Sequence, residues 1–262
     1  MLFHTRWFVL GFVSILFIGT LTAQAEVITY GDFEGNRYIY QNVKESSVTD
    51  PAGLFGAPTV YGDALIFRPN SFNAHASGAG EVDTTDGALG ALMVAKPGNN
   101  IDSLYIVEYG DFSLNGSNGT IDTQVRVKGH LFISIMEIDN MPVDDVIELT
   151  AEMEFFAGPN SASYVPDPDG TWDITTHQGT SLWMGSLDYD IKANLELFGI
   201  TGHATQVLLT FDNTLKAQSE TSTDAFIAKK RYIMVTVPEP GTMTLILLGV
   251  ASLGFFYRKR RS

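Results

Sequence analysis

Apolar and polar residues alternate with a period of two along much of this chain. Val125, Val127, Leu131, Ile133 and Ile135 share one parity, and Arg126, Lys128, His130 and Ser134 take the other. From Glu148 to Phe155 the acids and Thr150 alternate with Leu149, Ala151, Met153 and Phe155. From Leu187 to Leu197 the alternation of Leu, Tyr, Ile and Ala with Asp, Lys, Asn and Glu is unbroken. A period of two puts successive side chains on opposite faces of a strand, so these stretches predict antiparallel strands with one wet and one buried face. Shorter runs at 38–43, 64–68, 89–94, 104–109, 206–212 and 231–237 add further strands, separated by turn-rich stretches such as 115–119 and 166–170. No comparable helical periodicity intervenes. The expectation is all-β: a single antiparallel β-sandwich, jelly-roll-like, over residues 26–236, with 46–80 as its long loop or insertion.

The two ends break this pattern. The first 25 residues have a sparse basic start with Arg6, an apolar run from Trp7 to Ile18, and small residues at Ala23 and Ala25. That order is the signature of a secretory signal peptide cleaved after Ala25. At the other end Pro238, Glu239 and Pro240 precede an apolar run over 242–257, followed at once by Arg258, Lys259, Arg260 and Arg261. The run predicts a short transmembrane helix, and the basic cluster a cytoplasmic stop. The three parts in this order resemble the PEP-CTERM sorting signal of Gram-negative bacteria, over about residues 237–262. The resemblance implies an exosortase as partner, an inner-membrane-anchored precursor, cleavage near Pro238–Pro240, and delivery to the cell surface or the extracellular matrix of a bacterium that makes exopolysaccharide.

Trimming both ends changes the charge. The whole chain has 16 basic and 30 acidic residues, a formal −14. Arg6, the four basic residues of the tail and Glu239 lie outside 26–237, which leaves 11 basic against 29 acidic side chains, or −18. Such a body is a poor partner for nucleic acid, because phosphate neutralisation needs clustered Lys and Arg. There is no cysteine, which excludes disulfides, a thiol nucleophile and Cys-ligated metals.

Candidate chemistry is sparse. Asp167, Asp169 and Asp173 surround a Gly turn and offer oxygen ligands to a calcium ion, though Thr171 and the lack of a distal Glu depart from an EF-hand, and an Asp-Gly turn without metal fits as well. Glu152 and Glu154 on one strand would share a face at a glycosidase-like spacing. They depart from the Glu-x-Asp-x-x-Glu strand of laminarinase-type hydrolases, since Ala157 occupies the place of the third acid. Trp172 and Trp183 are candidates for stacking on a sugar ring, against the usual fate of Trp in a core. The expectation is an exported, noncatalytic structural or binding protein with exopolysaccharide as candidate ligand. The alternative is a secreted carbohydrate-active hydrolase using Glu152 and Glu154.

Overall fold

A computed structural model describes residues 25–51, 53–167 and 169–238. The expected signal peptide with Ala23, the helix over 242–257 and Arg258–Arg261 lie outside the described residues. In chain order the elements are β1 (Glu26–Glu34), β2 (Tyr38–Ser47), β3 (Thr59–Tyr61), β4 (Ala64–Phe67), β5 (Asn73–Ser77), β6 (Val82–Ala95), β7 (Ser103–Gly116) and β8 (Gln124–Ile138). They continue as β9 (Met141–Glu152), β10 (Glu154–Gly158), β11 (Val165–Pro166), β12 (Thr171–Asp173), β13 (Gly179–Asp190), α1 (Ile191–Leu197), β14 (Ala204–Gln218) and β15 (Thr223–Thr236).

The strands form two antiparallel sheets that pack as a sandwich. One runs β1-β2-β6-β14-β8-β12 with β9 also on β8; the other runs β11-β10-β13-β7-β15-β4-β3 with β5 also on β15. The alternating parity has the consequence expected of it. Val125, Val127, Leu131, Ile133 and Ile135 are all fully buried, as are Leu104, Ile106, Phe112 and Leu114 of β7. Inward-facing side chains of both sheets join in one core, the geometry that lets two half-apolar sheets exclude water.

Two stretches differ from expectation. Leu187–Leu197 is not one strand: β13 ends at Asp190 and α1 follows. Asp190 caps that helix, its carboxylate accepting from the Ala193 backbone N–H at 2.7 Å, which satisfies a donor that the first turn leaves free. Ile191 and Leu195 are the buried pair, spaced i,i+4, so seven residues of alternating sequence also supply a helix with one apolar stripe. Residues 46–80 carry β3, β4 and β5. They are tied down by Glu45, a buried carboxylate that accepts from the backbone N–H groups of Gly53, Phe55 and Gly56 and from the Tyr30 hydroxyl. Four donors on one carboxylate satisfy a charge that burial would otherwise penalise.

Three polar side chains occupy inward positions that the alternation reserves for apolar ones: Glu108 of β7, Asn213 of β14 and Lys229 of β15, each at most 1% exposed. Lys229 Nζ donates to Glu108 Oε2 at 2.5 Å and to Asn213 Oδ1 at 2.8 Å. The same Nζ lies 5.3 Å from the Phe72 ring centre and 5.1 Å from that of Trp183. Beyond Lys229 the register of β15 against β7 shifts before Ile233, and β15 changes its other neighbour from β5 to β4. The bulge and the buried amine thus coincide.

Gly110, beside this centre, leaves no room for a side chain: an added Cβ would run into the Ala228 carbonyl and the Trp183 indole. At Gly90 the nearest obstacle is the flexible Lys44 side chain, 3.2 Å away. Gly110→Ala should therefore destabilise by about 3 kcal/mol or more, as overpacking against backbone does, and Gly90→Ala by about 1 kcal/mol or less. Urea unfolding of the two variants checks the contrast.

Candidate functional site

The last described residues leave the sandwich beside a cleft. β15 ends at Thr236; Val237 is buried and Pro238 half-buried. Pro238 lines an open cleft of about 560 Å³ together with Arg37, Tyr38, Asp102, Lys192 and Glu196. Arg37 organises this exit. Its backbone N–H and Nε donate to the two oxygens of Asp63 at 2.7 and 2.6 Å, and Nη2 reaches the Val237 carbonyl at 3.5 Å. The guanidinium lies over the Tyr38 ring at 5.3 Å, and the Tyr38 hydroxyl donates to the Asn100 carbonyl at 2.9 Å. Across the cleft His203 Nδ1 meets Asp102 at 2.9 Å, and Lys192 Nζ donates to the Gly202 carbonyl. The charged groups named here are paired within the wall: Arg37 with Asp63, His203 with Asp102 and Lys192 with Glu196.

The residues singled out in the sequence do not converge. Glu152 and Glu154 are on different sheets: β9 ends at Glu152 on β8, and β10 starts at Glu154 on β13. The chain crosses between the sheets at buried Met153, whose N–H donates to the Gly129 carbonyl at 3.0 Å. The two glutamates flank that crossing and both are exposed, with His130 3.9 Å from Glu152. The shared strand face expected for them does not exist.

Trp172 and Trp183 are 1% and 0% exposed. Trp172 stacks on Phe112 at 4.8 Å and 4° between planes, and Trp183 packs on Phe155 and Lys229. Neither ring offers a face to a sugar. His130 and Phe132 form a surface ring pair, stacked at 4.5 Å on the outer face of β8.

The three aspartates of the turn also separate. Asp167 and Asp169 line a pocket with Arg126 and Lys216, cations that compete with any metal there. Burial, and then the neighbouring charge of Asp169, push the Asp167 carboxyl above the usual carboxylate range. Asp173 accepts from the N–H and hydroxyl of Thr175, and although burial opposes ionisation these bonds hold it lower. Among the described residues no three His, Asp or Glu side chains group to hold a metal ion.

What lies beyond the exit decides the matter. Residues 236–261 match the model of the PEP-CTERM protein-sorting motif. The C-terminal segment carries a PEP-CTERM motif. It includes Pro238, Glu239 and Pro240, implies processing by an exosortase, and indicates an exported protein sorted to the cell surface. No curated protein matches the chain significantly. Among solved structures the chain is similar to endoglucanase 3 of Trichoderma harzianum, from family GH12, at 10% identity, 82% of this chain, 97% of that one and a TM-score of 0.26. It is similar also to the module TmCBM61 in complex with β-1,4-galactotriose, at 10% identity, 82% and 88% coverage and a TM-score of 0.20. Likenesses this distant say nothing of activity.

The PEP-CTERM segment thus begins where Arg37 and Asp63 clamp the end of β15. Burial raises the Asp63 carboxyl, but hydrogen bonds from the Arg37 N–H and guanidinium and the charge of Arg37 outweigh it and hold the group below its ordinary value. A folded value below the unfolded one stabilises at pH above the unfolded value, and the gain is lost as pH falls through the folded one. Asp63→Asn should therefore lower stability at pH 7, by roughly 1.5–3 kcal/mol for bonds to a charged group. The difference from wild type should shrink below about pH 3. Thermal melts of both proteins from pH 7 to pH 2.5 check it.

Proposed function

We propose that this protein is a noncatalytic structural or binding component of the bacterial cell surface or exopolysaccharide matrix. Its working part is the acidic, jelly-roll-like sandwich of residues 26–236. The precursor is held in the inner membrane by the helix over 242–257 and the stop Arg258–Arg261, and an exosortase then cleaves near Pro238–Pro240. The observation that carries this reading is the PEP-CTERM motif at 236–261, joined to the sandwich with no spacer after β15.

Three features of the body support the noncatalytic half. Glu152 and Glu154 are exposed on separate sheets rather than side by side on one strand face, which speaks against the hydrolase alternative. Trp172 and Trp183 serve the core. The charged groups at the mouth of the cleft are paired with one another. An acidic, cysteine-free sandwich of this size suits an extracellular setting, where solubility and a large core matter more than redox chemistry.

In an exosortase-bearing host, the wild-type body should be recovered outside the inner membrane, in the surface or matrix fraction. Replacement of Pro238, Glu239 and Pro240 by Ala should leave the protein in the membrane fraction at its full precursor mass. Unchanged release of the variant would contradict the reading.

A further inference from the structure

The buried centre formed by Glu108, Asn213 and Lys229 has more in it than an ion pair. A lysine amine touches an asparagine amide at 2.8 Å and a carboxyl at 2.5 Å, in an interior where all three groups are cut off from water. Desolvation pushes the Glu108 carboxyl up and the Lys229 amine down, each against the attraction of the other's charge. Both directions favour the neutral acid beside the neutral amine, and a neutral amine has a free lone pair. The aromatic walls of Phe72 and Trp183 keep water, the competing nucleophile, away. Glu108 Oε1 is buried and has no hydrogen-bond partner among the described residues, which leaves one carboxyl oxygen free to carry a proton.

We propose that Lys229 and Asn213 join in an intramolecular isopeptide bond, formed by the folded protein itself with Glu108 as the proton carrier. Proton transfer within the pair leaves Lys229 as the amine and Glu108 as the acid. The Nζ lone pair attacks Asn213 Cγ, and the Glu108 acid hydrogen-bonds Oδ1 and stabilises the negative charge that develops there. One Nζ proton passes through the Glu108 carboxyl to Nδ2, the Cγ–Nδ2 bond breaks, and ammonia leaves. One N–C bond forms, one breaks, and no oxidant or reductant is consumed. Glu108 is regenerated and accepts the N–H of the new amide.

The position gives the bond a purpose. Asn213 belongs to β14 of one sheet and Lys229 to β15 of the other, so the amide would staple the two layers through the core. A chain with no cysteine has no disulfide for this role, and an amide, unlike a disulfide, cannot be reduced. An ordinary buried ion pair would instead cost desolvation and return little net stability.

Peptide mapping by mass spectrometry of the full-length chain tests the proposal. The expected result is a branched peptide linking the segments around Asn213 and Lys229, lighter than its two linear parts by one ammonia, with trypsin failing to cut after Lys229. In Glu108→Gln and Lys229→Arg the branched peptide should be absent. An unmodified Asn213 and Lys229 in the folded wild-type protein would overturn the proposal, whatever the variants do. So would an ammonia loss confined to the Asn-Gly sites at Asn115 or Asn118, which form succinimides without a cross-link. A branched peptide that persists in Glu108→Gln would remove Glu108 from its role.

Discussion

The contact between Lys229 and the pair Glu108 and Asn213 is the constraint around which the rest of the sandwich is arranged. It is the point where polar groups from β7, β14 and β15 meet across both sheets. Several other features exist to accommodate it. β15 bulges just after Lys229 and exchanges β5 for β4 as neighbour. Gly110 is kept free of a side chain so that the Trp183 indole can lie close to the backbone and under Lys229 Nζ. Burying the polar ends of a lysine and a glutamate is costly unless each finds a partner. The strands are therefore fixed in the one register that supplies them.

This centre also shows where reading the sequence falls short. Strands and buried parity were legible in stretches such as Val125 to Ile135, because period two has only one arrangement on a half-buried sheet. The same parity, followed strictly, places Glu108 after Leu104 and Ile106, Asn213 between Phe211 and Leu215, and Lys229 after Ala225 and Ile227. Three polar residues at inward positions were the available signal. That they meet one another was not legible, since which strands face each other across the sandwich is set by topology. Ile191–Leu197 misled for another reason: its alternation also contains an i,i+4 apolar pair, and the Asp190 cap decided for the helix. Glu152 and Glu154 were separated by a crossing at Met153 that leaves no mark in the pattern.

The sorting segment was legible because its chemistry is local. A Pro-Glu-Pro, an apolar run and a basic cluster follow one another in sequence order, so no tertiary contact is needed to bring them together. The fold adds how the body meets that segment. Val237 is buried and held through Arg37, itself fixed by Asp63, so the motif starts at the surface of a closed domain. The body and its address are thus distinct physical objects: one is held by long-range packing around a polar centre, the other read as a linear string.

Hydrogen–deuterium exchange resolved along the chain tests most directly whether the two sheets depend on this centre. The amides of residues 211–215 and 225–229 should exchange only through global unfolding and be the slowest in the protein, well behind those of β1 and β12 at the sheet edges. Exchange in β14 and β15 as fast as at those edges would contradict the dependence.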